Sequence, residues 1–166
     1  MSTSAVDVEQ LLQCLEEADV DARVLGGWGV DALVRRQTQE HRDLDLAVAA
    51  SDLDAALAAL DGLGYLVTTD WLPVRVELSG AERHVDLHPL HYRPDGSAWQ
   101  AGLDDVTYEY PAEAWTDGLI GSTGVRCVTP RLQRDYHSGY RPRAVDRHDL
   151  GLLEQLLQSG AGAGAN

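Results

Sequence analysis

Aspartates two residues apart are the first feature of this chain with chemical potential, and there are three such pairs: Asp19/Asp21, Asp43/Asp45 and Asp52/Asp54. Context separates them. Asp19/Asp21 falls in a polar break after an amphipathic stretch, where Asp favours turns. Asp52/Asp54 follows Ser51, which reads as a helix N-cap, and acids in a first turn complement the helix dipole. Asp43/Asp45 lies instead in Arg42-Asp43-Leu44-Asp45-Leu46-Ala47-Val48, an alternating strand. Alternation aims both carboxylates to one face and Leu44, Leu46 and Val48 to the other, into the core. Carboxylates spaced about 7 Å along a strand repel each other unless a cation lies between them. Hard divalent ions such as Mg2+ take oxygen ligands of this kind. The alternative is a solvated polar strand face.

A third acid adds weight. In His84-Val85-Asp86-Leu87-His88, Val85 and Leu87 face the core and Asp86 emerges opposite them. If this strand lies beside the first, three carboxylates converge, enough to hold Mg2+ while one accepts a proton from an attacking hydroxyl. A zinc site built from His84, Asp86 and His88, with His91 nearby, competes for the same strand. It leaves Asp43/Asp45 and the glycines unexplained.

Those glycines, Gly26-Gly27 in Gly26-Gly27-Trp28-Gly29-Val30-Asp31, sit between a short strand and a helix. Glycine there lets backbone N–H groups approach a phosphate, and a helix N-terminus favours the anion; a plain turn is the alternative. Arg35, Arg36 and Arg42 put positive charge nearby. They suit bidentate phosphate contacts or, equally, ion pairing with Glu40 and Asp43.

The elements that must position these groups alternate between helix and strand. The apolar spacing predicts a helix over 6–18, a strand at 23–25 and a second helix carrying Val30, Leu33 and Val34. Next come the Asp43/Asp45 strand, a helix from Ser51 to about Gly62, and strands at 65–69, 74–78 and 83–90. Ser122-Thr123-Gly124 marks a hairpin and Thr129-Pro130 a helix start, with Thr129 as its cap. A last helix from about Asp146 carries Leu150, Leu153, Leu156 and Leu157 on one stripe. The fold class is therefore α/β or α+β, a mixed sheet flanked by helices with helices at the C-terminus. One domain is expected over 1–159, and 160–166 reads as a disordered Gly/Ala tail. Trp71, Trp99 and Trp115 are expected in the core rather than against a ligand.

Composition excludes several classes. The net charge of −14 argues against nucleic acid as a partner. All thirteen basic residues are Arg, which removes a P-loop lysine, a Schiff base and any lysine nucleophile. Cys14 and Cys127 share no metal-binding or disulfide pattern. No leader or membrane-length apolar run is apparent, so a cytoplasmic location is expected and no membrane partner.

Gly26-Gly27-Trp28-Gly29-Val30-Asp31, Glu40-His41-Arg42-Asp43-Leu44-Asp45 and Val85-Asp86-Leu87-His88-Pro89 together resemble the small lincosamide nucleotidyltransferases and the related aminoglycoside 2''-adenylyltransferases. Trp71 to Leu78, Asp95-Gly96-Ser97, His137-Ser138-Gly139-Tyr140 and Asp146 to Leu150 extend the resemblance over most of 25–150. It implies the nucleotidyltransferase fold, Mg2+, and a nucleoside triphosphate as donor. Asp43 and Asp45 would be metal ligands, and Asp86 a third ligand or general base. Gly26, Gly27, Arg36 and Arg42 would meet the nucleotide, and a small-molecule hydroxyl would be the acceptor. His137, Tyr140, Arg147, His148 and Asp149 line the acceptor pocket or dock the C-terminal helices, docking being favoured for most; His88 is a further candidate for substrate contact. A lincosamide-type antibiotic is the first acceptor and an aminoglycoside the second. A non-catalytic, antitoxin-like nucleotide-binding member of the same fold is the alternative class, and a homodimer is left open.

Overall fold

The computed structural model describes residues 2–81, 83–137 and 143–162. Helix α1 (Ala5–Glu17) opens with a capping box, in which Ser4 accepts from the Asp7 backbone N–H and Asp7 accepts from Ser4. Val8, Leu11 and Leu15 fall on its buried face. After β1 (Arg23–Val24) the chain enters α2 (Gly26–Val34) directly, so Gly26-Gly27 forms the first turn of the helix. Arg35 ends α2 in the left-handed conformation (φ 58°), which glycine adopts at less cost.

Strand β2 (Asp43–Ala49) carries the acidic pair, and α3 (Leu53–Gly62) follows. The expected Ser51 cap is corrected: Ser51 lies inside a 3-10 turn (Ala50–Asp52), its hydroxyl donates to Asp52, and Asp52 takes the N-cap position. Five strands come next: β3 (Leu66–Trp71), β4 (Arg75–Gly80), β5 (Arg83–Tyr92), β6 (Ala98–Ala101) and β7 (Thr107–Tyr110). The hairpin β8 (Trp115–Ile120) and β9 (Thr123–Val128) leads into α4 (Pro130–Tyr136) and α5 (Ala144–Gly162). Thr129 is the N-cap of α4, but its side chain makes no capping hydrogen bond. The expected tail overlaps the last turn of α5, and 163–166 lie outside the described residues.

The sheet is mixed. Its order is β3-β4-β5-β2-β1-β9-β8, and β6 and β7 extend from β5. β2 runs parallel to β5 and β1 parallel to β9; the other pairs are antiparallel. One face buries Leu44, Leu46, Val85 and Leu87 against α1, α2 and α3, including Trp28. Each such aliphatic side chain contributes roughly 1.5–3 kcal/mol. On the other face Ala47 joins a second core with Leu90, Tyr110 and Trp115, packed by Tyr136 of α4. Asp43 and Asp45 point to that second face, just where its cover stops. Among the described residues no helix is long and apolar enough to cross a membrane.

Of the three tryptophans expected in the core, Trp115 is buried and Trp99 stacks on His91 at 4.2 Å. Trp71 departs from the expectation: it is 47% exposed at the end of β3 and lies under the Arg75 guanidinium. β3 is an edge strand, with a strand partner on one side only among the described residues.

Candidate active site

The parallel register of β2 and β5 sets Asp45 opposite Asp86 and Asp43 opposite His84. Ligand atoms of Asp45, Asp86 and His88 all lie within 4.8 Å of one another. Asp43 sits on the same face two residues away, with its Oδ2 held by Arg42 at 2.9 Å. His84 is exposed and His91 is committed to Trp99, so the zinc set suggested by the β5 histidines does not assemble among the described residues.

The electrostatics of this corner are out of balance. Burial, with the Asp45 charge added, pushes the Asp86 carboxyl up to about 6. The cation nearest to it is Arg75, at 3.7 Å, and that guanidinium makes its shorter bonds to Glu77. A carboxyl with its proton poised near neutrality suits transfer from a hydroxyl. The donor set, carboxylate oxygens on adjacent strands, fits a hard divalent cation.

Gly26 stands against Asp45 and Gly27 against His41, and Asp86 is not among the residues that line the cleft beside them. Gly26 has φ 58° and its α-carbon backs onto Asp45: an added Cβ would collide with Asp45 Oδ2. A Cβ on Gly27 would lie 2.6 Å from His41 Nδ1. Leu25, the N-cap of α2, offers no side-chain cap, so the first-turn N–H groups at Gly26 and Gly27 face a cleft of about 550 Å³ without a capping oxygen. Gln133 of α4 braces the turn by donating to the Gly26 carbonyl at 2.8 Å.

Asp43, Asp45, Gly26, Gly27 and Arg42 line one side of the cleft, and Tyr136, His137 and Asp149 line the other. Arg42 is at the mouth, its side chain 83% exposed. Arg36 is exposed and is not part of the lining, because the left-handed turn at Arg35 carries the chain away. His137 is held to α4 through Nδ1 and the Gln133 carbonyl, and its Nε2 lies 3.9 Å from Asp149. Burial pushes Asp149 up to about 6, while hydrogen bonds from Arg143 bring Asp146 down to about 2. Tyr140 lies outside the described residues.

Several contributors were not singled out from sequence. Asp31, 2% exposed, binds His41 Nε2 at 2.6 Å and takes both the Thr38 N–H and hydroxyl on its other oxygen. His148 reaches Thr38, and Gln39 donates to Asp149. This network ties the Gly26-Gly27 turn, the loop before β2 and α5 together. A broader open groove of about 940 Å³ between α1 and the β8–β9 hairpin lies away from the carboxylate pair.

A family model described as aminoglycoside-2''-adenylyltransferase matches residues 7–153. A lincosamide resistance protein of Staphylococcus haemolyticus is 30% identical over 147 residues, covering 88% of this chain and 91% of that protein. The crystal structure of the lincosamide antibiotic adenylyltransferase LnuA, lincomycin-bound, superposes with a TM-score of 0.83 at 28% identity, over 93% of this chain and 98% of LnuA. The solution structure of the antibiotic-resistance factor ANT(2'')-Ia gives 0.74 at 19% identity, over 92% and 83%, a likeness of fold. With its acidic strand pair beneath a glycine turn and this match over nearly its whole length, the chain belongs to the aminoglycoside-2''-adenylyltransferase family and is a nucleotidyltransferase.

Proposed function

We propose that the chain transfers a nucleoside monophosphate from a nucleoside triphosphate to a hydroxyl of a lincosamide-type antibiotic, releasing pyrophosphate. The observation that carries this reading is the Asp45–Asp86 pair, in register, incompletely neutralised among the described residues, with Asp45 against the open first turn of α2. Asp45 and Asp86, with Asp43 beside them, would hold Mg2+, which when bound neutralises charge on the triphosphate and on the departing pyrophosphate. The N–H groups of Gly26 and Gly27 hold phosphate oxygens, and Arg42 at the mouth adds positive charge. Asp86 takes the proton from the acceptor hydroxyl. The hydroxyl oxygen forms a bond to the α-phosphorus as the bond to pyrophosphate breaks, so no protein nucleophile is needed. The first-turn N–H groups act without reorganisation, because Gln133 already fixes the turn.

The lincosamide acceptor is supported by two relatives, the lincosamide resistance protein and LnuA, at 30% and 28% identity. An aminoglycoside is the second reading, supported by the family model described as aminoglycoside-2''-adenylyltransferase that matches residues 7–153. Pyrophosphate release from ATP and GTP with Mg2+, with lincomycin or tobramycin as acceptor, tests both. Lincomycin-dependent release, abolished by Asp45→Asn, is expected; release with tobramycin alone transfers the assignment to the second reading. If neither acceptor supports turnover and Asp45→Asn leaves nucleotide binding unchanged, the reading fails.

A further inference from the structure

His88 is close enough to Asp45 and Asp86 to be counted as a third metal ligand. Its other contacts argue for a different job. Its Nε2 lies 3.1 Å from Asp45 Oδ1, and its Nδ1 lies 3.0 Å from the Gln100 side-chain nitrogen. Gln100 in turn receives the Tyr110 hydroxyl on Oε1 at 2.8 Å. Gln100 and Tyr110 are 6% and 3% exposed, so their polar groups must find partners inside the protein. Burial holds the Tyr110 phenol well above its ordinary range, which keeps it a donor.

The chemistry of these groups gives the chain of bonds a direction. An amide NH2 only donates and an amide carbonyl only accepts. With Tyr110 donating to the carbonyl, the NH2 faces His88 Nδ1, which must then accept. The ring proton is left on Nε2, facing a carboxylate. Turning the amide over would set its carbonyl against Nδ1 and aim a bare Nε2 lone pair at Asp45.

We infer that Tyr110, Gln100 and His88 form a positioning relay that holds the Asp45 carboxylate by a donated Nε2–H, rather than His88 serving as a metal ligand. Oδ1 of Asp45 is engaged by His88, and Oδ2 is turned toward Gly26, where the triphosphate is placed above. The relay anchors one end in the second core, where Tyr110 stacks on Trp115, so the packing of that core reaches the site through hydrogen bonds. Its cation-directed purpose rests on the function proposed above.

Imidazole 15N NMR of the metal-free protein, with His88→Gln used to assign the signals, reads the relay without activity. The His88 ring is expected with Nε2 protonated and Nδ1 bare, and that proton is expected to persist when Mg2+ and nucleotide are added. Mn2+ binding followed by EPR should weaken about tenfold in Gln100→Met and His88→Leu. His88→Gln, whose amide N–H replaces the Nε2 donor, should stay within about threefold of the wild type. A ring protonated on Nδ1, or an Nε2 proton lost when Mg2+ is added, overturns the relay even if a variant folds poorly. If the wild-type protein binds no Mn2+, the proposed metal site falls with its cation-directed purpose, while the metal-free tautomer still decides the relay.

Discussion

Two carboxylate–histidine pairs meet at the start of β2, Asp31 of α2 with His41 and Asp45 of β2 with His88 of β5, and they have opposite characters. Asp31 and His41 meet at 2.6 Å, nearly sealed from water, and the second Asp31 oxygen takes two donors from Thr38. Asp45 and His88 meet at 3.1 Å with Asp45 still 30% exposed, and a second acid, Asp86, stands opposite with its carboxyl pushed up to about 6. The first pair is complete within the chain. Among the described residues, the second leaves negative charge for something else to neutralise. Having an acid beside a histidine therefore does not mark the site in this protein; the shortage of donors does.

Asp86→Asn tests the open pair most severely. Losing the proton acceptor should lower kcat by about 10²–10⁴-fold, while the metal-free protein unfolds in denaturant no more easily than the wild type at pH 7.5, because a penalised charge has been removed. Asp31→Ala should do the reverse to the closed pair. It strips the partner from a buried histidine and two Thr38 donors, and should cost about 3 kcal/mol in unfolding free energy. Equal stability losses in both variants would erase the distinction.

The distinction also has a pH signature. The Asp86 carboxyl is held at about 6 in the fold against 3.8 in the free side chain. The unfolded chain therefore gives up this proton first as pH rises. This group's own contribution to the stability of the metal-free protein should fall between about pH 4 and 6, by roughly 2 kcal/mol, and level off above, against carboxylates such as Glu77 and Glu109 that are held low by Arg75 and Arg93 and act in the opposite sense. Asp149, also pushed up to about 6 by burial, contributes in the same direction. Asp86→Asn should remove the Asp86 contribution, read as the difference between the denaturant midpoints of variant and wild type across that range. A stability difference between wild type and Asp86→Asn that does not change between pH 4 and pH 7 would contradict the raised Asp86 carboxyl.

What could be read beforehand follows the range over which each feature is determined. Period-two alternation through Leu44, Leu46 and Val48 is local, and it placed Asp43 and Asp45 on one face correctly. The partnership of Asp45 with Asp86 needed only the further assumption that β2 and β5 are neighbours, which holds. That Arg36 stands outside the cleft lining could not be read beforehand, because charge near a glycine turn says nothing about the left-handed residue that redirects the chain. Ser51 failed as a cap because a 3-10 turn came first. The brace from Gln133 to Gly26 and the link from Gln100 to His88 join segments whose own patterns carry no sign of the contact. Asp31 stood in a quoted motif, yet nothing local showed that it would be buried against His41.

The smallest effect is the sharpest check on how the two pairs meet, because Gly27 lies between them. A Cβ at Gly27 would fall 2.6 Å from His41 Nδ1, and His41 cannot withdraw without leaving Asp31. Such overpacking costs about 2 kcal/mol. Alanine in a helical turn recovers up to about 1 kcal/mol relative to glycine, so Gly27→Ala should destabilise the protein by about 1 kcal/mol. In a His41→Ser background the obstruction is gone and only the helix preference remains. The same substitution should then stabilise the variant by a few tenths to about 1 kcal/mol. Denaturant unfolding of the four proteins gives the coupling directly. A Gly27→Ala effect of the same sign and size in both backgrounds would show that His41 does not hold the glycine turn in place.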